Sequence, residues 1–289
     1  MSIIEKALEM MNENKDSEKE VYSEHSTEDS SSQQKMKETQ KDEATPVISE
    51  KNSEKYIIDL DELEKRGYLT PNSSNKILFE QYRRIKMSVL GKAFENRKAT
   101  NNIIMVTSSL SGEGKSYTSL NLAMSIAYEF NYTVMHMDAD LIRQTTSRMF
   151  GLENEDGLIQ YLNDDTKELA DVILTTNIPK LNIIPSGFGG GDLITELLNS
   201  HRMESLILEM SKRYNDRIII IDSPPMMMDS SSRALLKLAR QTVFVVEAEK
   251  TPKFVVDDAL NVLSEYDNVG VVLNKSNQRA SSSYGYYYK

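Results

Sequence analysis

The residues best suited to chemistry lie in the segment "SSLSGEGKSYTSLNLAMSIA", residues 108–127. Gly112 and Gly114 allow backbone N–H groups to close around phosphate oxygens, because glycine has no side chain to keep an anion at a distance. Lys115 offers a positive charge to the β- and γ-phosphates, and the Ser116 hydroxyl is a ligand type for Mg²⁺. The segment therefore predicts a loop that binds the phosphates of a nucleotide.

This loop departs at one position from the strict motif G-x-x-x-x-G-K-[ST], since Ser109 stands where the first glycine is expected. A chance glycine-rich turn is the alternative. The loop, however, joins an apolar strand to an amphipathic helix, and a helix N-terminus favours anions. We expect the Tyr117 ring to pack rather than to be modified. The residues predicted to contact the ATP phosphates are Ser111, Gly112, Glu113, Gly114, Lys115, Ser116 and Tyr117.

Three aspartates follow apolar strands. "VMHMDADLIR" places Asp138 and Asp140 at the end of one strand, pointing to the same side because strand side chains alternate. "IIIIDSPP" places Asp222 at the end of another, where prolines stop the strand. Carboxylates that converge on a phosphate loop predict a nucleotide-bound Mg²⁺. The predicted catalytic residues are Lys115, Asp138, Asp140 and Asp222, and the predicted metal ligands are Ser116, Asp138, Asp140 and Asp222.

Spacing alone leaves open which aspartate binds metal and which accepts a proton, although we favour Asp138 as the proton acceptor. The alternative is that acidic residues simply end strands in turns.

The elements that position these residues are short apolar runs separated by amphipathic helical patterns. The runs are "NIIMVTS", "YTVMHMDAD", "KLNIIPSG", "RIIIIDSPP", "QTVFVVEA" and "VGVVLNKS". Buried runs of this length with helical crossovers predict a doubly wound α/β fold with a mostly parallel sheet. Ligands of such sheets bind at the carboxyl ends of the strands.

The chain divides into four predicted parts. Residues 1–11 form a short amphipathic helix, which either docks on a partner or membrane surface or is an incidental frayed helix. Residues 12–55 form a disordered acidic linker. The folded domain covers residues 56–276, and a flexible tail covers residues 277–289, where four tyrosines stand in the last six positions.

Composition excludes several classes of function. The absence of cysteine excludes disulfides and thiolate chemistry, and the three histidines are too scattered for a metal cluster. A net charge of −10 argues against nucleic-acid binding, which needs a basic face. No apolar run reaches the roughly eighteen residues that span a bilayer, and the N-terminus lacks the features of a secretory signal. We therefore expect a cytoplasmic protein.

These motifs together resemble the bacterial tyrosine kinase family, in particular the tyrosine autokinases of exosortase-associated exopolysaccharide loci. The similarity covers nearly the whole chain apart from the acidic linker. It runs through "MSIIEKAL", "IDLDELEKRGYLTP", "SSLSGEGKS", "DADLIR", "NIIPSG", "ELLNSHRM", "DRIIIIDSPP", "VVEAEKTP" and "GVVLNKS".

The resemblance implies a P-loop NTPase-type fold, ATP and Mg²⁺ as cofactors, and an autokinase of exopolysaccharide polymerisation and export. It implies that copies of the chain phosphorylate one another's tails at Tyr284, Tyr286, Tyr287 and Tyr288. It places Asn274 at the adenine base and an oligomerisation motif at Glu80, Arg83 and Lys86. It also implies a separate membrane-anchored chain-length determinant that activates the kinase and holds it at the inner membrane.

Two departures from the family pattern stand out. Gln144 follows Arg143 where family members often have proline, and Lys86 stands where the E-x-x-R-x-x-R motif has its last arginine. Lysine keeps the charge but lacks the planar fork of arginine. The departure at Lys86 therefore bears on self-association and leaves the nucleotide-binding motifs unchanged.

The alternative function is that of the partitioning ATPases with a deviant Walker loop, which act by recruiting partners without kinase activity. Those proteins need a signature lysine near the start of the loop, about where Leu110 stands. An apolar leucine cannot contact the nucleotide of a partner subunit as lysine does, and the tyrosine tail also favours a kinase. An aromatic hook for a partner is the other interpretation of the tail.

Overall fold

A computed structural model describes residues 55–94, 102–129, 131–213 and 217–277. The predicted helix of residues 1–11, most of the linker and the four tail tyrosines lie outside the described residues. Within the described residues no helix is both long and apolar enough to cross a membrane.

The centre of the described domain is a seven-stranded sheet with the order β3-β4-β2-β5-β1-β6-β7. All neighbouring strands are parallel except β3 and β4, which pair antiparallel. The strands are β1 (Ile103–Ser108), β2 (Thr133–Asp138), β3 (Leu174–Thr175), β4 (Leu181–Ile184), β5 (Arg217–Asp222), β6 (Gln241–Glu247) and β7 (Val269–Asn274). The prediction of a doubly wound, mostly parallel sheet is confirmed.

Helices connect these strands and flank the sheet. They are α1 (Leu60–Lys65), α2 (Lys76–Phe94), α3 (Lys115–Ala127), α4 (Thr145–Met149), α5 (Leu158–Asn163), α6 (Ile194–Leu198), α7 (His201–Arg213), α8 (Ser231–Leu238) and α9 (Lys253–Leu263). Single 3₁₀ turns occur at Leu169–Asp171 and Gly191–Leu193.

The core follows from the apolar runs of the sequence. All six residues of β1 are buried, and so are the last five of β5, because helices cover both faces of the central strands. The edge strand β7 is only partly buried. Each of the six predicted runs contains one strand, whereas the two-residue strand β3 was not predicted, since so short a segment carries no periodicity.

Candidate active site

The sheet brings the predicted site residues together at one edge. Asp138 is the last residue of β2 and stands opposite Asp222, the last residue of β5. Strand β1 is the other neighbour of β5, and the P-loop (residues 109–116) begins where β1 ends. Parallel strands end at the same side of a sheet, so the loop and the carboxylates share one site.

Two glycines shape the P-loop. Gly112 and Gly114 have φ angles of +85° and +99°, in the left-handed region that side chains other than glycine rarely adopt. A Cβ atom at Gly114 would also collide with the amide nitrogen of Asn274. Helix α3 begins directly after Gly114, so its first N–H groups lie at the loop, where an anion is favoured.

The carboxylate of Glu113 is bound within the protein. It is buried and accepts hydrogen bonds from the Leu110 N–H at 2.6 Å and from the Thr251 hydroxyl. The side chain therefore braces the loop, and a phosphate contact from Glu113 has to come from its backbone N–H.

The end of β7 also holds the P-loop. The Asn274 amide donates to the Glu113 carbonyl at 2.8 Å, and the Lys275 ammonium donates to the Gly112 carbonyl at 2.7 Å. The structure thus places Asn274, predicted at the adenine base, directly against the loop. These two bonds occupy carbonyl groups and leave the N–H groups of the loop to face an anion.

Lys115 is buried among the three aspartates. Its Nζ lies 2.6 Å from Asp140 Oδ2, 3.9 Å from Asp222 Oδ1 and 3.2 Å from the Ser116 hydroxyl. Burial alone would lower the pKa of Lys115, but the Asp222 and Asp140 carboxylates outweigh it and raise this pKa. Lys115 therefore stays protonated and carries a positive charge at the P-loop.

Asp138 is fully buried and presents one free oxygen. Its Oδ2 accepts hydrogen bonds from the Ser147 N–H at 2.8 Å and the Ser147 hydroxyl at 2.7 Å. Its Oδ1 has no hydrogen-bond partner among the described residues. Burial, with the nearby Asp222 charge, raises the pKa of Asp138 to about 7, although the Ser147 bonds lower it. A carboxylate with this pKa suits proton transfer at neutral pH.

Asp222 has a similar environment. Its Oδ2 accepts a hydrogen bond from the Thr146 hydroxyl at 3.4 Å, while Oδ1 has no hydrogen-bond partner in the described part of the chain. Burial raises the pKa of Asp222, and the Lys115 charge opposes this rise. Ionising both Asp138 and Asp222 would place two like charges close together in the interior, which costs free energy. A bound cation would reduce this cost.

The described residues contain no group of three or more His, Cys, Asp or Glu side chains arranged to hold a metal ion. Mg²⁺, however, is usually bound through one or two carboxylates together with nucleotide phosphates rather than by a protein cage. The Asp222 Oδ1 oxygen, which has no hydrogen-bond partner among the described residues, and the Ser116 hydroxyl near Asp222 fit that mode of binding. The site therefore suits an ion that arrives with the nucleotide.

Several residues of the site were not predicted from the sequence. Ser147 holds Asp138, and the backbone N–H and hydroxyl of Ser186 donate to the Ser147 hydroxyl at 2.9 and 3.0 Å. Thr146 and Thr251 bond to Asp222 and Glu113. Serine and threonine are common in turns, and only tertiary proximity distinguishes these four from the rest.

Arg143, which belongs to the family pattern, and Tyr117, a predicted phosphate contact, lie at the margin of the site. The Arg143 N–H donates to Asp140 Oδ1 at 3.3 Å, and its guanidinium lies 3.9 Å from Asp140 Oδ2. The Tyr117 ring points away from the phosphates, because its hydroxyl donates to the Gly67 carbonyl at 2.7 Å and the ring packs 4.9 Å from that of Tyr68. Any phosphate contact from Tyr117 is therefore limited to its backbone.

The three residues of the predicted oligomerisation motif differ in exposure. Glu80 and Arg83 lie on the surface of α2 and pair with each other at 2.6 Å. Lys86 is buried instead, and its ammonium donates to the Ser125 carbonyl at 3.3 Å and pairs with Glu129. Lys86 ties α2 to the region of α3 within one chain, so a role in assembly is left to Glu80 and Arg83.

The chain is similar to known proteins over this same region. The family model of an AAA domain matches residues 101–269. The tyrosine-protein kinase YwqD of Bacillus subtilis is 30% identical over 225 residues, which cover 77% of this chain and 92% of YwqD. The tyrosine-protein kinase CpsD of Streptococcus agalactiae is 30% identical over 194 residues, covering 65% and 82% of the two chains.

A solved structure gives the same result. The kinase domain of the Escherichia coli tyrosine kinase ETK matches with a TM-score of 0.64 and 28% identity, over 76% of this chain and 83% of that domain.

Proposed function

The chain belongs to the AAA-domain family and to the tyrosine-protein kinases of bacteria, and on that basis we propose that it transfers the γ-phosphoryl group of ATP to tyrosines in the tail of another copy. It is a kinase rather than a partitioning ATPase, since its relatives of 30% identity are kinases and Leu110 replaces the signature lysine. The proposed acceptors are Tyr284, Tyr286, Tyr287 and Tyr288.

The observation that carries the reaction is Asp138 Oδ1, a buried carboxylate oxygen without a hydrogen-bond partner in the described residues, in a site whose cation, Lys115, pairs with Asp140. In the proposed step the phenol oxygen forms a bond to the γ-phosphorus while its proton passes to Asp138. The bond from the γ-phosphorus to the β,γ-bridging oxygen breaks, and ADP leaves. A phenol has an ordinary pKa of about 10, so positioning and electrostatic stabilisation supply most of the acceleration.

The residues of the site have different proposed roles in the reaction. The P-loop N–H groups and Lys115 hold the β- and γ-phosphates and stabilise the charge that develops on them. Ser116, Asp222 and Asp140 are the proposed ligands and neighbours of Mg²⁺, which would supply further neutralisation of the phosphate charge. Asp140 also holds the Lys115 ammonium at 2.6 Å. Asn274 is the proposed contact of the adenine base.

We also propose the cellular setting that the family resemblance implies. Copies of the chain assemble through the α2 surface with Glu80 and Arg83, and a membrane-anchored chain-length determinant activates them at the inner membrane. Each phosphotyrosine adds about −1.5 to −2 charges, so four would add about −6 to −8. Repulsion from the acidic site then releases the tails and loosens the assembly, in a cycle that regulates exopolysaccharide polymerisation and export, with an exosortase-type locus as the predicted context.

The test is incubation of the purified full chain with Mg²⁺ and ATP, followed by mass spectrometry of the C-terminal peptide. Phosphate on the tail tyrosines supports the kinase proposal. Release of free phosphate without tail modification would favour an ATPase instead. Repeating the assay with a candidate membrane activator separates an idle kinase from a protein that lacks the activity.

A further inference from the structure

Four large apolar side chains are exposed on loops at the acidic end of the site. They lie on the loops that follow β2, β4 and β5, which are neighbours in the sheet. The exposed fractions are 56% for Ile142, 46% for Phe188, 38% for Met227 and 60% for Met228. We call these four residues the apolar rim.

Hydrogen bonds connect the loops that carry the rim residues to one another or to the P-loop. The Gln144 side chain donates to the Gly187 carbonyl at 3.0 Å, which joins the loop of Ile142 to that of Phe188. The Met227 N–H donates to the Ser109 carbonyl at 3.3 Å, which places Met227 at the start of the P-loop. Met227 therefore connects the rim to the phosphate site.

This end of the site has apolar side chains at the surface and carboxylates in the interior. Exposed apolar side chains that cluster mark interaction sites, whereas isolated ones are ordinary. Beneath the rim lie the buried carboxylates, and Asp138 Oδ1 is an acceptor without a hydrogen-bond partner among the described residues. Apolar side chains above a buried hydrogen-bond acceptor suit a side chain with an apolar body and a hydroxyl tip, which is the form of tyrosine.

We propose that the apolar rim docks the acceptor tyrosines of the tail of a second copy, residues 284–288, with each ring against the rim in turn. This inference rests on the proposed kinase function. Met227 and Met228 suit the role because methionine is flexible and adapts to different contacts. The tail presents four tyrosines within five residues, which occupy the site in different registers.

The position of the tail favours a second copy over the chain's own tail. The described chain ends at residue 277, just after β7, and β6 and β1 separate β7 from β5. Three strand spacings are about 14 Å, which seven extended residues cover at roughly 3.3 Å each. That path, however, crosses the P-loop where the nucleotide phosphates bind. A tail from another copy does not have to cross it.

The test uses a full-length chain in which all four tail tyrosines are replaced by serine, so that it accepts no phosphate at its tail and offers no ring to the rim. A peptide of residues 281–289 is the substrate. The variant Met227→Gln/Met228→Gln keeps side-chain volume and removes the apolar contact. Leu208→Gln is the matched control, because Leu208 is 39% exposed and lies on α7, which carries none of the rim residues.

We expect the KM for the peptide to rise about tenfold in the double variant, with the KM for ATP and the kcat at saturating peptide within about twofold of the parent. The control is expected to match the parent. An unchanged peptide KM overturns the rim proposal while peptide phosphorylation by the parent still supports the kinase. An equal rise in the KM for ATP also overturns it, because the methionines would then act on the nucleotide. A parent that phosphorylates no peptide, with or without the candidate membrane activator, overturns both proposals.

Discussion

The two sides of the site differ in how completely their carboxylates are satisfied. On the side of β1, β6 and β7, the Glu113 carboxylate binds an N–H and a hydroxyl, and two P-loop carbonyls accept bonds from Asn274 and Lys275. On the side of β2 and β5, Asp138 and Asp222 each keep a buried oxygen without a hydrogen-bond partner in the described residues.

This difference indicates that the phosphate side keeps a fixed shape, whereas the acidic side is arranged to bind a positive charge. Buried polar groups in folded proteins are almost always paired, so unpaired ones need an explanation. The phosphate side is fixed before a ligand arrives. The acidic side holds carboxylates whose pKa values are raised by burial, a cost that is reduced by Lys115 and would be reduced further by a bound cation.

Removing the charge that balances the acidic side has the largest expected effect. Lys115→Met should lower tail phosphorylation by at least about 10³-fold, because it removes the cation at the γ-phosphate. Lys115→Arg is the control that keeps the charge. Phosphotyrosine on the C-terminal peptide of the Met variant, from a host without other tyrosine kinases, would contradict the assignment. Circular dichroism checks that each variant is folded.

Neutralising Asp138 should lower the activity but raise the stability of the protein. Asp138→Asn is expected to lower phosphorylation by about 10²–10⁴-fold, the usual contribution of a proton acceptor. The same variant should be more stable than the parent at pH 8 without nucleotide or Mg²⁺, by on the order of a few kcal/mol. Asparagine can still accept the Ser147 bonds and does not become charged.

The sign of this stability effect follows from linkage. The pKa of Asp138 is raised from 3.8 to about 7, so between these values the folded state retains a proton that the unfolded state has released. The Asp138 contribution to stability is therefore present at low pH, falls as pH rises through this window, and is lost above about pH 7. Urea unfolding followed by circular dichroism measures it, since the chain has no tryptophan. Equal pH dependence in parent and variant would contradict the buried-charge explanation.

On the phosphate side, the stabilisation by Glu113 should depend more on the shape of its side chain than on its charge. Glu113→Ala leaves the partly buried Leu110 N–H and the Thr251 hydroxyl without their partner, and should cost about 1–3 kcal/mol of unfolding free energy. It should also raise the KM for ATP several-fold. Glu113→Gln can keep both bonds, because its amide has an acceptor and a donor. If the Gln variant were as impaired as the Ala variant, the brace would depend on charge instead.

The smallest effect is expected at Thr251, whose hydroxyl bonds to the Glu113 carboxylate. Thr251→Val keeps the shape and removes the hydroxyl, so it should raise the KM for ATP by no more than about threefold and cost on the order of 1 kcal/mol. Thr251→Ser restores a hydroxyl and should be close to the parent. A loss in Thr251→Val as large as that in Glu113→Ala would show that Thr251 provides most of the stabilisation.

Local patterns predicted the elements and much of the site. The six apolar runs correspond to strands because burial on both faces requires continuous apolar residues. The "GEGKS" segment and the aspartates at strand ends lie in one site because parallel strands end at the same edge. The interpretation of Glu113 as a phosphate contact did not anticipate its side chain, which is buried against Thr251, 138 residues away.

The sequence by itself determined the fold class, the phosphate loop and the acidic end of the site, since each depends on periodicity or on spacing within a few residues. Only the tertiary structure decided which oxygen of Asp138 is free, that Lys86 is buried, and that the loops after β2, β4 and β5 form one apolar rim. These features depend on contacts between residues far apart in the chain. The packing of the sheet brings such residues together, and no local pattern encodes their distance.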